Sequence, residues 1–174
     1  MSDRHPNAAL LETFYSAFAR LDAETMVSCY APLAHFSDPV FQDLLGAEVF
    51  SMWRMLARRA KEFTLTYRDV VADDAAGRAH WEARYLFSKT GRRIHNVIEA
   101  SFSFADGKIV SHKDDFDLWR WAGMALGAPG TLLGWTPILQ RKIRREAMKG
   151  LEEFMEARDS RVPSQGTRSP GEGA

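Results

Sequence analysis

The chain has 174 residues, 45% of them hydrophobic and 26% charged, and its 23 Lys and Arg balance 23 Asp and Glu. That length suits one domain with a single core, and a net charge of zero gives no electrostatic reason to bind nucleic acid or another polyanion. A lone cysteine, Cys29, excludes an intrachain disulfide, a CxxC redox pair and a Cys/His zinc site.

Charges begin at Asp3, no apolar run of signal-peptide length follows, and nowhere do about eighteen apolar residues succeed one another without a charge. The expectation is a cytoplasmic protein with no integral membrane segment.

From Asn7 to Leu21, the residues Leu10, Leu11, Phe14, Ala17, Phe18 and Leu21 recur at spacings of three and four, which predicts an amphipathic helix capped by Asn7. Asp22, three residues before Thr25, predicts the cap of a second short helix over "AETMVSCY", stopped near Pro32. "LAHFSDP" reads as a short extended segment, ended because the residue before Pro39 is pushed away from helical geometry. A third helix is expected from about Leu45 to Ala60. Val49, Phe50, Trp53, Leu56 and Ala57 share one face of it, and Arg54, Arg58, Arg59 and Lys61 the other.

The period then changes from helical to alternating. "FTLTYRDVVA", "RAHWEARYLFS", "RIHNVIEASFSF" and "KIVSHKDDF" are rich in β-branched and aromatic residues and are separated by "DDAAG", "KTGR" and "ADG". Turns that short predict an antiparallel meander. In "DLWRWAGMALGAPGTLLGWTPILQ", glycines and prolines among large apolar residues predict two short helical pieces. "PILQRKIRREAMKGLEEFMEAR" predicts a charged surface helix with Pro137 at its start. Residues 1–117 are thus expected to form the main domain, 118–158 a helical extension and 159–174 a disordered tail.

Alternation assigns faces. Asn96, Ile98, Ala100, Phe102 and Phe104 make the apolar row of the third strand, leaving His95, Val97, Glu99, Ser101 and Ser103 on the other side. On the last strand His112, Asp114 and Phe116 form one row and Ser111, Lys113 and Asp115 the other. His112 and Asp114 then have Cβ atoms about 6–7 Å apart, near enough to share a hydrogen bond or one water. Trp81, Ala83, Tyr85 and Phe87 alternate on the second strand, where the Tyr85 hydroxyl can orient a ligand, as can the lone amide of Asn96. His80, Glu82, His95 and Glu99 fall on the opposite face at spacings that match no ligand motif, so no metal is expected. The basic clusters "RMLARRAK" and "QRKIRREAMK" read as solvated helix faces.

"CYAPLAHFSDP" and "SFSFADGKIVSHKDDFD" resemble the matching stretches of the SnoaL-like, ketosteroid-isomerase-like superfamily, also called nuclear-transport-factor-2-like. The likeness runs roughly from Asn7 to Asp117 and rests on the Tyr-Ala turn, the Asp38-Pro39 pair and the "F-x-DGKI-x-x-H" hairpin with its following acids. It implies an α+β fold: a cone-shaped curved antiparallel sheet (a cystatin-like α+β barrel) wrapped by the N-terminal helices, with the helical extension added here at the C-terminus. It also implies a small hydrophobic molecule as ligand, no cofactor, and a homodimer formed through the outer sheet face. Asp38 matches the general base of ketosteroid isomerase. The Tyr of that enzyme's oxyanion hole is replaced by Phe14, with Tyr15 about 100° away around the helix. Its Asp is replaced by Ala100 or, in the other register, Glu99; the apolar alternation favours Ala100.

Steroid isomerisation is therefore not expected. Asp38, His112 and Asp114 are the candidate catalytic residues, and Phe14, Trp53, Trp81, Tyr85, Asn96, Ala100 and Phe116 are expected to line the ligand site. Three functions stay open: a cofactor-free acid/base enzyme, a non-catalytic binding module and an interaction domain. The run "WAGMALGAPGTLLGWTPIL" is expected to cap the pocket mouth, with a dimer contact or a membrane surface as its other uses.

Overall fold

A computed structural model describes residues 4–161. The first helix, α1 (Pro6–Ala19), is capped by His5, whose Nδ1 accepts the Asn7 amide, and not by Asn7 itself. Pro6 explains the shift: it lacks an N–H, its φ is already helical, and it takes the first helical position. Asn7 is buried instead, and its side chain donates to the carbonyls of Asp73 and Asp74 at 2.9 and 3.3 Å, tying α1 to a distant turn. Helix α2 (Ala23–Ser28) starts as expected, with Asp22 accepting the Thr25 amide.

Strand β1 (Tyr30–Ser37) begins three residues before the expected extended segment and runs through Pro32. It pairs in parallel with the last strand, and Pro32 falls in the irregular interval between the pairs Tyr30↔Ile109 and His35↔Ser111, where its missing N–H costs no ladder bond. A two-residue strand, β2 (Leu44–Leu45), pairs with β1 and was not legible in the sequence. Helix α3 (Ala47–Arg59) follows Gly46, whose φ of 53° admits the sharp entry. It buries Val49, Met52, Trp53 and Met55, so its inward face is rotated from the expected one and Leu56 is exposed.

The expected meander is present as β3 (Thr64–Ala72), β4 (Ala76–Phe87), β5 (Arg92–Ala105) and β6 (Lys108–Asp115). The six-stranded sheet has the order β2-β1-β6-β5-β4-β3 and is not closed. Irregularities between Arg68 and Val71 and between Ser103 and Phe104 accompany its curvature, as bulges do. Its concave side holds the core, in which Phe14, Tyr15 and Phe18 of α1 meet Trp53, Trp81 and Phe102.

Three helices follow: α4 (Leu118–Leu126), α5 (Ala128–Leu133) and α6 (Pro137–Asp159). Pro137 opens α6 as expected. The helix is more than a charged surface element, because Leu151 is fully buried and Ala147, Met148, Phe154 and Met155 pack on the core. The expected tail begins inside α6 at Asp159, and its residues 162–174 lie outside the described residues. Among the described residues, no helix is long and apolar enough to cross a membrane.

Candidate functional site

Strand alternation places His112 and Asp114 on the concave face, opposite Phe102 and Ala100 of β5. On the other flank His112 pairs with Phe36 of β1. Its ring is enclosed by Phe14, Tyr30, Phe36, Trp53 and Phe102 at centroid distances from 4.3 to 6.1 Å. A buried imidazole needs partners for both nitrogens. Tyr30 Oη lies 2.6 Å from Nδ1, and Asp114 Oδ1 lies 3.0 Å from Nε2.

Counting donors gives this network a direction. An indole N–H can only donate, so Trp53 Nε1 donates to the Tyr30 oxygen at 3.0 Å. With a neutral imidazole that donates from Nε2 to Asp114 Oδ1, Nδ1 is the acceptor and takes the Tyr30 proton. Trp81 Nε1 also donates to Asp114 Oδ1, at 3.2 Å. Asp114 Oδ2 accepts nothing from the described residues. The chain Trp53, Tyr30, His112, Asp114 thus runs one way and ends on a carboxylate.

Asp38 follows β1. The Ser-Asp-Pro turn folds its side chain back, and Oδ1 accepts the amides of Val40 and Phe41 at 2.6 and 2.5 Å. Burial raises its pKa from 3.8 to about 7, against those two hydrogen bonds and with help from the charge of Asp114. Between about pH 4 and 7 the folded chain keeps a proton that the unfolded chain has released, so Asp38 lowers stability as pH rises through that window. Asp38→Asn removes the penalty while its amide oxygen can still accept both backbone N–H groups. The variant is expected to be more stable than the parent at pH 8, by about 2 kcal/mol once residual solvent access is allowed for, and equal to it at pH 4. Melting curves across that range check this, and an equal gap at both pH values would refute it.

The two carboxylates face one cavity of about 940 Å³. Of the residues assigned from sequence, Asp38, Asp114, Trp53, Trp81, Tyr85, Asn96 and Phe116 line it. His112, Phe14 and Ala100 do not: they are buried behind the wall, His112 held by its two partners, Phe14 against its ring and Ala100 in the ladder beside Asp114. His112 is therefore tied to the cavity wall only through its partners, directly by Asp114 and through Tyr30 by Trp53. Tyr15 stacks on Tyr67, away from the cavity, with its hydroxyl unpartnered among the described residues.

Sequence reasoning missed two groups. Tyr30 stands in the quoted "CYAP" stretch but received no role, because its contact with His112 spans 82 positions. Trp121 of α4 lines the cavity and donates to the Tyr85 hydroxyl at 2.9 Å, leaving the Tyr85 proton for another acceptor. Burial pushes the Tyr85 pKa up, so the phenol stays protonated. Leu126, Pro129, Leu139 and Ile143 complete the far wall, so α6 encloses the cavity together with the expected α4–α5 cap. Thr90 Oγ1 and Arg92 Nε donate to the carbonyls of Ala125 and Met124, and Arg144 Nε donates to Pro39 O, which hold these helices in place.

On the convex face, His80 bonds Glu99 at 2.5 Å and Glu82 at 3.3 Å, and His95 bonds Glu82 at 2.6 Å. These bonds raise the His80 pKa and lower that of Glu82. Among the described residues, no three His, Cys, Asp or Glu side chains are arranged to hold a metal ion.

Comparison with solved structures returns the same architecture. An LEH-like epoxide hydrolase of M. tuberculosis superposes with a TM-score of 0.59 at 19% identity, covering 74% of this chain and 93% of that one. IdmH, a candidate polyketide cyclase of Streptomyces antibioticus, gives 0.59 at 21% identity over 71% of this chain and all (100%) of its own. A candidate polyketide cyclase of Xanthomonas campestris pv. campestris gives 0.59 at 20% identity over 71% and 99%. Identities this low speak to the fold and leave the reaction open. No curated protein matches the sequence. The model of the SnoaL-like domain matches residues 11–112, more than half of the chain, from within α1 to His112 on β6, and the chain belongs to that family.

Proposed function

We propose that the chain is a cofactor-free acid/base enzyme acting on a small apolar or cyclic compound, by chemistry of the isomerase, cyclase, hydrolase or dehydratase type. One observation carries this reading: two carboxylates in different surroundings face the same aromatic cavity. Asp38, with a pKa of about 7, is divided between acid and base at neutral pH and suits proton transfer in either direction. Asp114 lines the cavity, takes two donors on Oδ1 and has an Oδ2 that accepts nothing from the described residues. Such divergence within a pair is how sites separate an acid from a base. In this scheme Asp38 moves the proton and Asp114 accepts a hydrogen bond from the ligand or its attacking water. Tyr85 and Asn96 orient the ligand. His112 and Tyr30 are positioning residues that fix Asp114.

A non-catalytic binding module is the second reading. It is favoured by Phe14 and Ala100, which stand where the steroid isomerase has its oxyanion-hole Tyr and Asp and which do not line the cavity. A cytoplasmic location and a homodimer through the convex sheet face belong to the proposal under either reading.

A thermal-shift screen against hydrophobic and hydroxylated ring compounds, on the parent and on Asp38→Asn, identifies the ligand class. Turnover of the stabilising compounds follows. The enzyme reading expects Asp38→Asn to keep the ligand shift and to lose about a hundredfold in kcat/KM. Binding without turnover in the parent establishes the binding module, and unchanged turnover in the variant removes Asp38 from the mechanism.

A further inference from the structure

The segment from Leu118 to Arg145 has a surface unlike the rest of the chain. Five large apolar side chains stand in solvent there: Trp119 is 49% exposed, Leu132 70%, Leu133 53%, Trp135 60% and Ile138 79%. They form one patch. Trp119 Nε1 donates to Thr131 O at 2.9 Å and Trp135 Nε1 to Leu132 O at 3.1 Å, and a β-carbon on Gly134 would lie 2.8 Å from the Trp119 ring. Ile138 follows on the first turn of α6. Exposed apolar side chains scattered singly are ordinary, but a contiguous group with two tryptophans marks a surface that something covers.

The charges around the patch say what covers it. Residues 118–145 contain Arg120, Arg141, Lys142, Arg144 and Arg145 and not one Asp or Glu, in a chain whose charges balance overall. None of the five is in an ion pair among the described residues. A second copy docked symmetrically on the patch would set these cations against the same cations, which disfavours self-association there. A partner with negative charge over an apolar interior is complementary. An anionic lipid surface has that layering, phosphates outside and acyl chains beneath, and tryptophan beside arginine is the composition that settles at such a boundary.

We propose that the α4–α6 corner docks on an anionic lipid bilayer, with Leu132, Leu133, Trp135 and Ile138 among the headgroups and acyl chains and with Arg141 and Arg145 against the phosphates. The same helices give Leu126, Pro129, Leu139 and Lys142 to the cavity wall, so docking brings the cavity to the bilayer. The ligand class that follows is a lipophilic compound dissolved in lipid. The docking holds whether the cavity turns its ligand over or only binds it, and only the ligand class rests on the proposed use of the cavity.

Vesicle sedimentation tests it on the full chain, using phosphatidylcholine alone and phosphatidylcholine with one third phosphatidylglycerol, at low and at high salt. Binding is expected to the anionic vesicles at low salt, with a blue shift of tryptophan emission, and to be at least about tenfold weaker on neutral vesicles or at high salt. The Leu132→Ser/Trp135→Ser/Ile138→Ser and Arg141→Glu/Arg145→Glu variants change exposed side chains, should melt with the parent, and are each expected to lose about tenfold. Failure of the parent to bind anionic vesicles overturns the proposal. So does equal binding by parent and both variants, or a parent dimer that the serine variant converts to monomer, which would make the patch a subunit interface. Turnover in solution is unaffected by any of these results, so loss of this inference and loss of the enzyme reading are separable.

Discussion

His112→Ala is expected to cost about 4 kcal/mol, a large share of the roughly 5–15 kcal/mol that holds a domain of this kind together. Two effects add. The imidazole fills a space bounded by five aromatic rings, the nearest being Phe102 at 4.3 Å between centroids, and a methyl group leaves most of it empty. The substitution also removes the acceptor of the Tyr30 proton and one of the two donors to Asp114, stranding a buried hydroxyl and half-stripping a buried carboxylate. For a chain of this length the melting temperature should fall by roughly 10 °C or more. Tyr30→Phe keeps the packing and loses only the hydroxyl, which leaves His112 Nδ1 and the Trp53 indole unpaired, and about 2 kcal/mol is expected. Thermal or urea unfolding measures both. A His112→Ala loss below about 1 kcal/mol, or a Tyr30→Phe loss exceeding it, would show that the network is not what holds this corner of the core.

Gly130→Ala is expected to cost about 3 kcal/mol at a site that carries no chemistry. A β-carbon there would stand 1.9 Å from the Ala122 carbonyl oxygen, 2.4 Å from its carbon and 2.9 Å from the Gly123 nitrogen. All three are backbone atoms of α4, so no side-chain rotation can relieve the clash. Helix α5 must withdraw from α4, and the pieces are short: α5 is six residues long and its entry depends on Gly127 at a φ of 69°. Because α4 carries Trp121, its displacement should also break the bond to the Tyr85 hydroxyl and open the cavity on that side. The readouts are a lower melting temperature and increased quenching of tryptophan emission by an added solute. Gly91→Ala provides the contrast: its β-carbon would meet nothing within 4 Å, so its cost is confined to the positive φ of 69°. Equal losses in the two variants would mean that helix contact does not limit Gly130.

The meander was legible because it is local. Two-fold alternation and short polar turns state a strand and its reversal within a few residues, and they also state that His112 and Asp114 share a face with the row Ala100, Phe102, Phe104. The parallel pairing of β1 with β6 was not legible, since its partners lie some 75 to 80 positions apart and no local pattern specifies a parallel neighbour. That pairing brings β1 beside β6, from which the Tyr30 hydroxyl reaches His112, and it turns a two-residue motif into a directed chain of four side chains. The role of α6 was half legible. Ile143, Ala147 and Leu151 recur every four residues along it, but the surrounding Arg, Lys and Glu gave it the look of a solvated helix.

The sequence by itself determined the α+β order, the family, the strand faces and the presence of Asp38 and Asp114 as candidate catalytic carboxylates, because each depends on spacing within one element or on a contiguous motif. Only the tertiary structure decided which candidates meet the cavity. It moved His112, Phe14 and Ala100 behind the wall, brought in Trp121, and set the environments of Asp38 and Asp114 apart. The reason is that exposure to a cavity, the donor set of a carboxylate and the burial that shifts a pKa are properties of several elements packed together, and no segment carries them alone.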